Sequence, residues 1–229
     1  MLTPLEIEAL SLSLWVATWS TLAALPVAIL AAFILARTDF WGKSLFDGII
    51  HMPLVLPPVV IGYLLLVTLG TRGPIGSWLL ETFGIRLIFT SAGASVAAGV
   101  MAFPLMVRAI RQAIEAIDTG LEAAARTLGA GPIDRFLTIT LPLMLPGVLS
   151  GAVLAFAASL GEFGATITFV SNIPGETRTL PLAIYTATQT PDGDAEAARL
   201  VALSFALSLG ALILSEYLGR RVRRMMGRF

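Results

Sequence analysis

The sequence predicts an all-α integral membrane protein with about five transmembrane helices, and three observations carry that expectation. Of 229 residues, 56% are hydrophobic and 13% charged, with a mean hydropathy of +0.86; soluble domains average roughly 45–50% apolar and 25% charged. Several stretches reach the ~20 apolar residues that cross a hydrocarbon core. None alternates with the two-residue period of a barrel strand.

Taken in order, the expected spans are Leu12–Ala36, Ile49–Leu69, Phe89–Val107, Leu141–Leu160 with an apolar continuation to Val170, and Leu200–Leu218. The opening "MLTPLEIEAL" is acidic and lacks the basic region of a cleavable signal, so the first run is expected to be a retained helix. Pro26, Pro53, Pro57, Pro58, Pro104 and Pro146 fall in or beside these runs. Each removes a backbone donor, so kinked or interrupted helices follow. Gly147 and Gly151 are spaced for close helix contact.

Basic residues set the orientation. Arg37, Lys43, Arg108, Arg111, Arg126, Arg135 and the tail residues Arg220, Arg221, Arg223, Arg224 and Arg228 make up most of the 15 Lys and Arg. The intervening loops hold Arg72, Arg86, Arg178 and Arg199. The C-terminus is therefore expected in the cytoplasm and the N-terminus outside.

Several chemistries are excluded. There is no cysteine, and His51 is the one histidine, so thiolate sites and multi-histidine metal clusters are out. No HExxH, GxSxG or paired intramembrane carboxylates point to an embedded enzyme. "GKS" at Gly42–Ser44 lacks the upstream glycine and strand of a phosphate loop, because position 37 is Arg. ATP hydrolysis is not expected from this chain. Asp192, Asp194 and Glu196 lack the frame and terminal glutamate of a calcium loop and read as a polar outer loop.

One loop departs from the apolar theme: "LEAAARTLGAGPIDRFLTITLP", Leu121 to Pro142. Glu122 and Arg126 are spaced as a favourable i,i+4 pair around Ala123, Ala124 and Ala125, which predicts a helix over Asp118–Leu128. Gly129 and Gly131 tolerate a left-handed turn, and Pro132 can open a second helix. That helix is expected to show Ile133, Phe136 and Leu137 on one side and Asp134 and Arg135 on the other. The outcome is a cytoplasmic knob, suited either to the lipid interface or to a soluble partner.

Gly129 followed by Ile139-x-Leu141-Pro142 resembles the EAA loop of ABC-importer permeases, the coupling helix that fits a groove on the ATPase subunit. One departure concerns Glu122. The family places three residues between the second Ala and Gly, whereas four follow Glu122-Ala123-Ala124 here, so either Ala123 takes the usual Glu position or the carboxylate is rotated by about 100°. Further blocks, "HMPLVLPPVVIGYLLL", "MAFPLMVRAIR" and "SLGEFGATITFVSNIPGETRTLP", resemble the permease of molybdate ABC importers. "GEFGA" is similar to sulfate and thiosulfate permeases as well; "TFVSNIPGETRT" favours molybdate.

The resemblance implies a type I ABC importer permease fold over residues 10–220, with the coupling loop at about 114–138. Some relatives add a sixth, N-terminal span, which is not expected here. It further implies a homodimer around a central path, two cytoplasmic ABC ATPase subunits and a periplasmic molybdate-binding protein that delivers the oxyanion. Lipid surrounds the assembly; no cofactor, metal or nucleic acid is implied. Coupling residues carried over are Glu122, Ala123, Ala124, Arg126, Gly129, Gly131, Ile139 and Pro142. Candidate gate residues are Glu162, Phe163, Gly164, Thr166 and Thr168. Glu162 draws attention because an ionisable group in a span is costly. It falls about 30 Å of helix beyond Pro142, near the outer boundary. A carboxylate repels a dianion, so the expected role is to satisfy backbone donors or position a gate. Ser171 is a further candidate path hydroxyl, Arg178 a candidate contact of the binding protein, Lys43 a positive-inside anchor and His51 a satisfied or interfacial histidine. Sulfate, thiosulfate and tungstate remain alternative substrates; an ATP-independent channel or carrier, or a membrane-embedded enzyme, is the remote alternative.

Overall fold

The computed structural model describes residues 2–225, without side-chain detail at 215, 216 and from 218 onward; Arg220, Arg221, Arg223 and Arg224 thus lack described side chains and Arg228 lies outside the described residues. The described residues form α-helices joined by short turns. By length and composition four helices can cross a membrane, or five if one bent pair counts as a span.

The first helix, α1, runs Pro4–Arg37, several residues earlier than apolar content alone predicts. Its start is a capping box: Thr3 Oγ1 accepts from Glu6 N at 3.3 Å, and Thr3 N donates to Glu6 Oε2 at 2.7 Å. Reciprocal capping satisfies donors that would otherwise be orphaned. Glu6 is buried and receives Arg199 Nε at 2.9 Å, which ties the start of α1 to the last helix.

The second expected span is broken. Helices α2 (Lys43–Val55) and α3 (Pro58–Leu69) meet at a bend of 114°. Pro57 and Pro58 supply no N–H, and Leu56 is forced extended (φ −75°, ψ 145°), as a residue before proline is. A short α4 (Pro74–Phe83), absent from the sequence expectation, ends in a left-handed Gly84.

Helix α5 (Ser91–Glu115) starts after a turn at Phe89 and outruns its predicted end at Val107 by two turns. It is the central helix, packed against α1 on one side and α8 (Leu141–Leu160) on the other. Small residues permit the close approach: Ala94, Ala97, Ala98, Gly99 and Ala102 of α5 are buried. A Cβ on Gly147 would lie 2.2 Å from Ala113 Cβ, and one on Gly151 would lie 3.1 Å from Met106 O. The glycine pair read from the sequence is thus the α5–α8 contact.

Between α5 and α8 come α6 (Thr119–Thr127), the short α7 (Pro132–Arg135) and a π-helical turn at Phe136–Thr140. Beyond α8 the apolar run to Val170 is interrupted at Gly161–Phe163 before α9 (Gly164–Val170). Helices α10 (Leu180–Thr188) and α11 (Asp194–Met225) complete the described residues, with Asp194 and Glu196 in the first turn of α11 rather than in a loop.

Candidate functional site

The two features that matter lie at opposite ends of α8. At its start is the knob, α6 to the π turn. Helix α6 is capped by Asp118, whose carboxylate accepts from Gly120 N at 2.8 Å. Gly129 takes φ 90° to end it, and Gly131, at φ −68°, is an extended N-cap rather than a left-handed turn. Pro132 opens α7 as expected.

No residue of α6 is buried. Leu128 (88% exposed), Ile133 (76%) and Leu137 (53%) form the knob's bare apolar surface. Phe136 does not share it: its ring packs edge-on against Phe33 of α1, 5.7 Å between centroids. The π turn explains the difference, because a wider turn shifts the angular position of each side chain away from the 3.6-residue wheel.

The expected Glu122–Arg126 pair does not form, and Arg126 is exposed. Glu122 Oε1 instead accepts from Arg37 Nη2 at 3.1 Å and from Thr140 Oγ1 at 2.9 Å. Its carboxylate therefore turns toward α1 and the base of α8. Ala123 and Ala124 are exposed beside it, Ile139 is half-buried and Pro142 stands in the first turn of α8. Arg37 and Thr140 were not recognisable as its partners from sequence, since only short-range spacings can be read from the chain.

At the far end of α8 the two breaks lie side by side. A Cβ on Gly164 would come within 2.7 Å of Pro58 Cβ, and one on Gly62 within 2.7 Å of Ala165 O. Glu162 Oε1 accepts from Ala165 N at 2.8 Å, so the carboxylate satisfies a donor at the start of α9. Phe163 packs on Tyr185 of α10 at 5.3 Å. Thr166 is buried, and the half-buried Thr168 donates to Gly164 O at 2.8 Å.

The "VSNIPGETRT" loop that follows is knit by its own polar groups. Ile173 O accepts from the N–H of Glu176, Thr177 and Arg178. The buried Thr177 hydroxyl accepts from Ile173 N and donates to Ser171 O, holding Ser171 at φ 66°. Asn172 accepts from Arg178 Nε at 2.9 Å and donates to Thr186 at 2.8 Å. Arg178 is thus fixed in place rather than free to wander. At the knob end, Lys43 pairs with Asp39, and His51 Nδ1 lies 2.9 Å from Asp47 O in a 280 Å³ pocket shared with Arg108 and Arg111.

Residues 24–224 match the family described as binding-protein-dependent transport system inner membrane component. The chain belongs to this family. It is 58% identical over 228 residues to the molybdenum transport system permease protein ModB of Escherichia coli (strain K12), covering 100% of both chains. The corresponding protein of Haemophilus influenzae is 57% identical over 223 residues, 97% of each chain. Among solved structures, a bacterial alginate ABC transporter bound to its periplasmic protein superimposes with a TM-score of 0.76 at 19% identity, over 96% of this chain and 80% of that one, which establishes the ABC-importer permease fold. Membership makes this chain a multi-pass inner-membrane transport subunit and not an enzyme.

Proposed function

We propose that this permease moves molybdate into the cell as part of an ATP-driven importer. The observation that carries the reading is the 58% identity over 228 residues to a molybdenum permease. In this assembly two copies enclose the path. The knob faces the cytoplasm, where the excess of Arg and Lys places it, and its apolar surface of Leu128, Ile133 and Leu137 seats in a groove on each ATPase subunit. The loop at 171–179 faces the periplasm and receives the loaded binding protein, with Arg178 held outward-ready by Asn172.

Energy enters at the knob. Closure of the ATPase subunits on ATP draws the two knobs together, and the bundle switches between two states. The Gly161–Phe163 and Leu56–Pro57 breaks supply the second moving part, since interrupted helices can hinge where continuous ones resist. Glu162 does not ligate the dianion, which it repels; it caps the start of α9. Weak binding along the path favours release, selection having been made by the binding protein.

The test is uptake of radiolabelled molybdate into proteoliposomes holding this chain, its ATPase and the loaded binding protein, with sulfate and tungstate as competitors. Uptake indifferent to excess sulfate is expected. Competition by sulfate moves the protein to the sulfate branch.

A further inference from the structure

We propose that Glu122 is a positioning residue that fastens the knob to α1 through Arg37, so that displacement of the knob is delivered along α1 to the far break. The proposal rests on the reading that the ATPase docks on the knob.

The fastening is specific in geometry. Arg37 is in the last turn of α1, 85 residues from Glu122 in sequence, and the two side chains are 16% and 24% exposed. Shielding from water strengthens such a pair and makes removal of one partner costly. Thr140 fixes the same carboxylate oxygen from the base of α8. Thr138 Oγ1 donates to Asp134 O four residues back, whereas the Thr140 hydroxyl, in the same π turn, is spent on Glu122 instead. With no buried residue of its own, α6 depends on this three-way tie for its attachment.

What α1 can transmit follows from its other contacts. About 26 Å along the helix from Arg37, Ser20 Oγ donates to Ser159 Oγ at 2.9 Å, both side chains buried. Ser159 stands three residues before Glu162 and its carbonyl accepts from Glu162 N. Nearer its start, Ser13 Oγ accepts from Leu180 N at 2.7 Å, at the foot of α10. One helix thus links the knob to both elements that flank the 161–179 segment.

The test uses the whole importer in proteoliposomes and reads molybdate transported per ATP hydrolysed, alongside co-purification of the ATPase. Glu122→Arg and Arg37→Glu are each expected to lower that ratio severalfold, since each leaves like charges facing one another at a shielded position, while ATPase co-purification and hydrolysis persist. The double swap is expected to restore most of the ratio. Glu122→Gln, which keeps the volume and an acceptor for Thr140, gives a smaller loss and covers the case in which a reversal fails to assemble. Unchanged transport per ATP in Glu122→Gln and in the assembled single reversals overturns the strut. A double swap as impaired as its parents overturns the Arg37 pairing. Loss of co-purification in Glu122→Gln shows that Glu122 faces the ATPase instead, which also refutes the proposal. Failure of the underlying docking reading looks different: the ATPase then stays bound when the knob's apolar surface is removed.

Discussion

Glu122 and Glu162 stand at opposite ends of α8, and their carboxylates are satisfied in opposite ways. Glu122 bridges to Arg37 and Thr140, groups from two other elements far away in sequence. Glu162 turns to the backbone N–H of Ala165, three residues on. A carboxylate with distant partners connects bodies that would otherwise move independently. One that caps its own chain marks where a helix stops and restarts. Both are acidic groups at the edges of an apolar helix, yet in the proposed mechanism the first serves transmission and the second the hinge.

The largest expected effect comes from removing the knob. Deleting Glu122–Gly131, or replacing exposed Leu128, Ile133 and Leu137 with Asp, abolishes ATP-dependent uptake and releases the ATPase subunits on purification. Retained binding after that change moves the docking surface elsewhere. Next is the rod between the two ends. Gly147→Leu forces a side chain into Ala113 of α5 and is expected to cost about 1–3 kcal/mol or more, seen as a lowered Tm and poor recovery of monodisperse protein. Gly210→Leu, with nothing within 4 Å of its Cβ, is the control and leaves both unchanged.

At the hinge, Glu162→Ala removes the acceptor for Ala165 N, at a cost of about 1 kcal/mol, and Glu162→Gln keeps an acceptor but drops the charge. Both are expected to reduce uptake more than assembly, Ala the more strongly. Normal uptake by Glu162→Gln takes the charge out of the gate and leaves only the cap. The smallest effect is Ser20→Ala, which loses the bond to Ser159 and about 0.6 kcal/mol, measured as a Tm shift of a degree or so.

These two glutamates also show what the sequence discloses. Short-range signals read well: the helix at Asp118–Leu128, the Gly129 stop, the Pro132 start and the span Leu141–Leu160 all fall where composition and spacing place them. Pro57 and Pro58 announce an interruption, though the 114° bend depends on what α3 packs against. Long-range pairing is invisible to spacing. Arg126 is the nearest partner for Glu122 along the chain, and Arg37 wins because the fold brings it to a shielded position. Likewise α1 starts at Pro4 rather than at Leu12, with Glu6 buried because Arg199, 193 residues away, supplies its counter-charge. Phe136 was misplaced because a 3.6-residue wheel does not hold through a π turn.

The most direct test of the whole account is molybdate uptake by the reconstituted importer with and without ATP, comparing the intact chain with one lacking Glu122–Gly131. ATP-dependent uptake by the intact chain and none by the shortened one is the predicted result. Uptake that proceeds without ATP, or that survives loss of the knob, contradicts it.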